Sequence, residues 1–414
     1  MKKDVFKLNE ETNLEIKNIN NLDEMIENIE SKLNNSDSKS AFFEKIKYSF
    51  QKFRNINREF FKKTPLLTYS IKRIAYSFLT LYLALAVVYV LMVSTLKDSA
   101  IMNDFNYSKP PIPLDGPEWD EWVKNQKIAL GIYGSMIKQI LYFWRNITFF
   151  IPKDITVPLK VSHMGIVWDE PVRKWFWLGL IMNKSNGIIN YPVMDSFKEA
   201  IPISFTIGFS AVLISYVLGV PLGIIASKNK EKPVDNVITW LFLILISTPA
   251  TILISIFWLI SLKYLGSGGI WGESEVTNLM AIFGVVLLII PSIVIETRRY
   301  VIDEMTSDYT KFAVSKGLSS AYIFYVHIFR NAGIRIVRLV PAALILSLFG
   351  SSILVERFWA APGMSKFILN GVSSSDIFVV LGYITLSAGV GVFSSLLGDI
   401  LLVVLDPRVK LTKK

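Results

Sequence analysis

DYTKFAVSKGLSSAYIFYVHIFRNA, running from Asp308 to Ala332, lies between two strongly apolar segments and is itself too polar to cross a bilayer. Asp308 suits a helix N-cap, because its carboxylate can accept from the free amides of a first turn. Gly317 fits the C′ position, where a positive φ costs least. Ser319 or Ser320 can then cap a second helix, expected to run to about Arg330. The reading is a short helix, a glycine break and a second helix, standing on a membrane surface. Phe312, Ile323, Phe324 and Ile328 are expected to leave an apolar patch there, and such a patch seeks a partner.

The chain around this stretch is 52% hydrophobic over 414 residues, with mean hydropathy +0.43. That is too apolar for an ordinary soluble domain of this size and points to an all-α polytopic membrane protein. There is no cysteine, which excludes a disulfide framework and a thiolate metal site. Two histidines, His163 and His327, stand far apart, so no His-based metal or catalytic cluster is expected. The net charge of +10 reads as membrane orientation and anionic lipid rather than nucleic acid. The polar, acidic N-terminus does not read as a cleavable signal peptide.

Six spans are expected. Residues 64–96 hold the first, with Thr64-Pro65 as its start and no charge from Ile74 to Leu96. The second is about Ile201 to Ser227, where Gly219 and Gly223 are spaced for close helix contact. The third is Val237 to Leu262, with a kink at Pro249. The fourth is Leu279 to Ile295, the fifth Leu339 to Val355 and the sixth Ile377 to Leu405. Basic residues gather in the loops 228–232 and 298–338 and in the tail 407–414. The loops 263–278 and 356–376 hold only Lys263, Arg357 and Lys366. This asymmetry places both termini in the cytoplasm.

Two regions stand apart from the spans. In 1–63, a weak helix or disorder is expected up to about residue 40, whose charges sum to −3. From Ala41 to Arg73 nine Lys/Arg face only Glu44 and Glu59, among phenylalanines at helical spacing. This reads as a basic amphipathic helix, lying either on an anionic membrane face or on the protein's own cytoplasmic side. Residues 97–198 read as an external domain. It holds a Pro-rich strip, KPPIPLDGP, tryptophans at 119–122 and 175–177, and an amphipathic helical pattern between Lys127 and Phe150 that is not a span. Residues 199–406 form the five-helix core.

The stretch at 308–332 resembles the cytoplasmic coupling loop of ATP-binding cassette importer permeases. In that family a Glu-Ala-Ala triplet precedes a glycine, and the loop docks on a separate ATPase. Here the triplet positions are Lys311, Phe312 and Ala313, so only Ala313 and Gly317 agree. The dipeptide/oligopeptide B-type branch is closer, with Asp-Tyr, Ala-x-x-Lys-Gly and His-x-x-Arg-Asn-Ala. The chain has Asp308-Tyr309, Ala313, Lys316-Gly317, His327, Arg330, Asn331 and Ala332. ERFWAAPG, from Glu356 to Gly363, resembles the branch's motif after the fifth span. Asp376, Gly382 and Asp406-Pro407-Arg408 resemble its last span and exit. Residues 147–186 have no counterpart in the resemblance and read as an insertion.

The resemblance implies the type I importer permease fold and an ATP-driven importer of oligopeptides, with dipeptides, nickel chelates or another solute as alternatives. It implies as partners a second homologous permease, two cytoplasmic ATP-binding cassette subunits carrying ATP and magnesium, and an extracytoplasmic solute-binding protein. The coupling residues would be Asp308, Tyr309, Phe312, Ala313, Lys316, Gly317, Leu318, His327, Arg330 and Asn331. Outer-mouth candidates are Glu356, Phe358, Pro362, Gly363 and Asp376. No cofactor is expected on this chain itself. It has no G-x-x-x-x-G-K-[ST] cradle, and GSGG at 266–269 reads as a turn. Asp399, an acid within the sixth span, is a functional candidate by default but reads here as structural. One such acid gives no proton relay, which disfavours the alternative of a secondary transporter without an ATPase.

Overall fold

A computed structural model describes residues 65–101, 112–347, 349 and 352–405. The N-terminal extension to residue 64, where an amphipathic helix is expected, the start of the Pro-rich strip and residues 406–414 lie outside the described residues. The chain divides into two compact units, Met1–Ile71 with Leu411–Lys414, and Lys72–Lys410. The second unit holds the helix bundle and the 97–198 section.

Helix α1, Pro65–Ser94, opens on proline and carries no charge from Ile74 to its end. Short α2, Asp98–Ile101, precedes α3, Pro117–Ala129, and α4, Met136–Ile147. Two nested antiparallel pairs follow: β1, Lys153–Ile155, with β4, Val172–Lys174, enclosing β2, Pro158–Ser162, with β3, Gly165–Trp168. Sequence patterning did not anticipate these strands, since each is too short to show a period-two pattern. Helix α3 leans on β2, where Trp122 Nε1 donates to the Val161 carbonyl at 3.3 Å.

Helix α5, Val193–Lys228, is crossed by α8, Glu275–Met305. The glycine pair does what its spacing predicts. A Cβ at Gly223 would stand 2.6 Å from Thr297 Cβ and 2.8 Å from the Val294 carbonyl, and one at Gly219 3.0 Å from Ile293 Cγ2. Between them lie α6, Pro233–Ser247, and α7, Ala250–Tyr264. Their axes differ by 106°, a far larger change than the expected kink. The reason is local. Proline at 249 disfavours helix for Thr248, and both residues take extended ψ, 130° and 129°. Fifteen residues rise about 22 Å, too short to cross alone.

Four described helices, α1, α5, α8 and α14 (Ile377–Leu405), are long and apolar enough to cross a membrane, and five if the bent pair is one span. The expected fifth span falls on two shorter helices, α11, Arg330–Leu346, and α12, Ser352–Phe358. Helix α13, Ser365–Ser373, precedes α14. Three buried clusters stack along the bundle. One joins α1, α4, residues 177–182 and the start of α14. The second lies between α5, α8 and Trp359, and the third lies beneath the 308–332 segment. The bundle end bearing that segment is the candidate coupling end, and the end bearing 97–198 is the far end.

The expected insertion at 147–186 is not separable as a whole. Trp177, Leu178, Leu180, Ile181 and Met182 are buried with Phe197, Phe367 and Phe378. Ile155 of β1 joins this core, and the strand residues from 159 to 174 are half-buried or exposed.

Candidate coupling site

The helix over the coupling segment, α9, runs Asp308–Ser315. Ser307 rather than Asp308 occupies its N-cap, a correction of one residue. Ser307 Oγ and Thr310 Oγ1 both donate to the Glu304 carbonyl at 2.7 Å, which closes the turn out of α8. Asp308 instead sits in the first turn, paired with Lys311 at 3.0 Å on the surface. Gly317 takes φ +75° at C′. Its N–H donates to Val314 O at 3.0 Å, and Leu318 N–H donates to Ala313 O at 3.4 Å. That pair of bonds is a Schellman stop. Ser319 caps the next helix, its Oγ accepting from Tyr322 N–H at 3.4 Å.

The second helix does not end at Arg330. It begins as α10, Ser320–Tyr322, passes through a π-helical stretch, Ile323–Phe329, and continues as α11 to Leu346. The wider winding is one of the uncommon local forms that recur at functional sites. It also decides which side chains face inward. Ile323, Phe324 and Ile328 are buried with Val301, Ala313 and Ala332, so three of the four residues of the expected patch lie inside. The exposed apolar strip is instead Phe312, Val314, Leu318, Tyr322, Tyr325 and Val326. Lys316 Nζ lies 4.5 Å from the Phe312 ring centre, and Lys228 Nζ 3.8 Å from that of Phe324.

Motif residues far apart in sequence meet beneath this strip. Tyr309 OH donates to Glu304 Oε2, and Asn331 Nδ2 donates to Tyr309 OH at 2.9 Å. Arg335 closes the set on Glu304 Oε1 at 2.7 Å. Glu304 is buried, so this network fixes α9 against α8 and α11 by charge-assisted bonds. Glu304 and Arg335 carry no motif signature, and sequence reasoning missed both. Arg330 is exposed. His327 is half-buried and meets the Tyr322 ring edge-on at 5.7 Å.

Next to this network lies a cleft of about 830 Å³ between α8, α11 and α14, lined by Tyr300, Arg335, Arg338, Ser394 and Asp399 among others. Asp399 pairs with Arg73 of α1 and approaches Arg338 at 3.7 Å. A second pair that the sequence did not reveal, Asp235 with Arg298, is bidentate at 2.6 and 2.7 Å and ties α6 to α8.

At the far end two of the outer-mouth candidates, Glu356 and Asp376, are buried caps. Glu356 Oε1 accepts from Ser204 Oγ at 2.7 Å and its Oε2 from Ser365 N–H at 2.9 Å, which caps α13. A side chain at Gly363 would run into that carboxylate and into Ser204 Oγ. Phe358 packs beside Trp258 at 5.8 Å, and Pro362 is exposed. Asp376 Oδ2 accepts from Met182 N–H at 2.9 Å, Asn183 N–H at 3.1 Å and Asn186 Nδ2 at 3.0 Å. Its Oδ1 caps α14 through Val379 N–H at 3.4 Å. Burial pushes this carboxyl above its ordinary range, and the four donors pull against that shift.

Residues 219–411 match the family described as the binding-protein-dependent transport system inner membrane component. The chain is 34% identical over 226 residues to the oligopeptide transport system permease protein AmiC of Streptococcus pneumoniae, covering 53% of this chain and 44% of that one. It therefore spans less than half the length of AmiC. It is 31% identical over 228 residues to the dipeptide transport system permease protein DppB of Bacillus subtilis, covering 54% of this chain and 72% of DppB. Among solved structures, a chain of the MetNI methionine ABC transporter aligns with TM-score 0.44 at 15% identity, over 51% of this chain and 97% of that one. The chain thus belongs to the binding-protein-dependent transport system inner membrane component family, a transport family of integral membrane proteins and not a catalytic one, and within it to the peptide-permease branch of ATP-binding cassette importers.

Proposed function

We propose that this chain is the transmembrane permease subunit of an ATP-driven importer of oligopeptides, forming half of a translocation pathway. A second homologous permease would form the other half. Two ATP-binding cassette subunits would dock at the coupling end, carrying ATP and magnesium, and a solute-binding protein would meet the far end. The coupling end would be cytoplasmic, with both chain termini there, as the loop charges favour.

The observation that carries this reading is the exposed strip from Phe312 to Val326. It stands on a helix–turn–helix whose break at Gly317 and restart at Ser319 are capped and whose base is fixed by Glu304, Tyr309, Asn331 and Arg335. An apolar surface held rigid in this way suits a partner groove, because little ordering entropy is lost on contact. Closure of the ATPases would move α9, and α11, continuous with the segment through the π stretch, would carry that motion into the bundle.

The test is reconstitution with the ATPase subunits, read by co-purification and ATP turnover. Phe312→Ala should weaken association by about 2 kcal/mol if the ring anchors the contact. Gly317→Val meets no atom within 4 Å, so it acts through backbone strain at φ +75° alone and should misdirect α10. Normal association and transport in both variants would remove the coupling role from the 308–332 segment.

A further inference from the structure

The 97–198 section was expected to lie wholly outside the bilayer, yet α4 lies along the first span and descends beside it. At its upper end the Phe143 ring stacks on Tyr89 at 4.8 Å, and Tyr89 OH donates to Gln139 Oε1 at 3.4 Å. Lower down, Trp144 Nε1 donates to the Tyr82 carbonyl at 3.1 Å and Thr148 Oγ1 bonds Tyr82 OH at 2.7 Å. Lowest, Phe150 meets Phe78 at 6.1 Å. The contacts step from 89 to 82 to 78 as the chain runs from 139 to 150, so the two segments are antiparallel. Tyr82 is the central residue of Ser70–Ser94, about 18 Å from either end at 1.5 Å per residue. The tip of the section thus stands level with the middle of the first span.

The outer surface of this tip is apolar except at Arg145, which is also exposed. Ile137 and Leu141 of α4, with Phe149, Phe150 and Ile151 beyond it, are exposed, as are Leu79, Leu83 and Val87 on α1. Lys138 is one turn from the far end of α4, within reach of the headgroups. Arg145 lies along a small pocket of about 120 Å³ shared with Asn146 and Asp154.

Backbone that turns inside hydrocarbon must have its polar groups satisfied within the protein. Here one side chain does much of it. Lys153 is 2% exposed, and its ammonium donates to the carbonyls of Asn146 at 3.0 Å, Thr148 at 2.6 Å and Trp175 at 2.9 Å. Three donors meet three acceptors, two of them at the open end of α4. Trp177 N–H adds a second bond to Asn146 O at 3.1 Å.

We infer that residues 136–151 form a re-entrant element, held beside the first span in the far leaflet, whose exposed apolar side chains contact lipid acyl chains. The element enters and leaves on the same side, so the topology of the later spans is unchanged. That this leaflet is the outer one rests on the proposed orientation; the insertion itself does not.

Because the chain contains no cysteine, single cysteines report cleanly. Leu141→Cys and Phe150→Cys, with Leu83→Cys on the first span and Met164→Cys on the β2–β3 turn as references, are spin-labelled in the full complex. The complex is reconstituted in phosphatidylethanolamine–phosphatidylglycerol vesicles. Collision with molecular oxygen is compared with collision with a water-soluble nickel chelate. The oxygen-to-nickel ratio at 141 and 150 should match that at 83 and exceed that at 164 severalfold. A ratio at 141 and 150 equal to that at 164 overturns the proposal in favour of an aqueous surface. Protection from both reagents overturns it in favour of a covering protein chain.

Discussion

The coupling segment and the 97–198 section are both polar stretches between apolar helices, and they are anchored in opposite ways. The hydrogen-bonded anchors of the coupling segment lie between Glu304 and Arg335, and its side of the bundle leaves Phe312, Val314, Leu318, Tyr322 and Tyr325 bare. The anchors of the far-end section come from distant chain. Asp376 grips residues 182–186, Tyr82 and Tyr89 grip α4, and Trp177 and Phe197 are buried with Phe367 and Phe378. A locally braced element can present a face to another protein without disturbing the bundle. A section tied in at many distant points is part of the bundle's own packing, and its removal should be felt there.

The largest expected effect tests that second half. Lys153→Met removes a donor from three buried carbonyls; Asn146 O keeps Trp177 N–H, while those of Thr148 and Trp175 lose theirs, at about 1–3 kcal/mol for each group left unpaired. Thermal unfolding of the purified permease should fall by several degrees, with new protease cleavage between 147 and 176. ATPase co-purification should be kept. Its loss would mean that the two ends are not independently held.

Asp376→Ala should come next. It strips the acceptor from Met182, Asn183 and Asn186 and the cap from α14, a loss of about 2 kcal/mol, since the freed donors are only partly rehydrated. The expected sign is exposure of residues 182–190 to protease, again with the coupling end intact. A variant as protease-resistant as the native chain would show that the hydrophobic cluster alone holds the section.

These two residues also mark how far the sequence could be read. The spans were legible because about 20 apolar residues without charge leave few other readings, and Gly317 because a glycine after a short capped helix announces its φ. Gly219 and Gly223 were legible for the same reason of spacing. What escaped were partnerships set by tertiary structure. Lys153 looks like any surface lysine, and nothing local says that three carbonyls from 146, 148 and 175 converge on it. Glu304, Arg335 and the Asp235–Arg298 pair are ordinary charges until helices bring them together. The inward turn of Ile323, Phe324 and Ile328 depends on a π stretch that a 3.6-residue period cannot express. Proline at 249 signalled a kink but not a bend of 106°.

Tyr309→Phe sharpens the first half of the comparison with a smaller effect. It removes one hydroxyl that links Glu304 to Asn331, worth about 1 kcal/mol, and leaves the Arg335–Glu304 pair in place. Association with the ATPase should persist while the stimulation of ATP turnover by substrate falls, because α9 would dock yet transmit less to α11. If association fell and stimulation per bound ATPase did not, the network would serve only to hold the surface in shape.

Tyr325→Ala should have the smallest effect on the permease itself. The ring is among the exposed members of the strip, lies in the π stretch and sits 5.6 Å from Lys228 Nζ. A surface truncation of this kind changes stability by no more than about 0.5 kcal/mol. Association is a different matter, because tyrosine is a frequent interface anchor and loses little side-chain entropy on contact. A loss of about 1 kcal/mol, or roughly fivefold in Kd for the ATPase, is expected with an unchanged melting curve. The pairing with Phe312→Ala locates the contact. If both variants weaken association, the partner covers the strip from α9 across the turn into the π stretch. If only Phe312→Ala does, the contact is confined to α9, and the π winding serves to bury Ile323, Phe324 and Ile328 rather than to present Tyr325. If neither does, the exposed strip is not a docking face, and the contrast between a free coupling surface and an embedded far-end section fails at its first term.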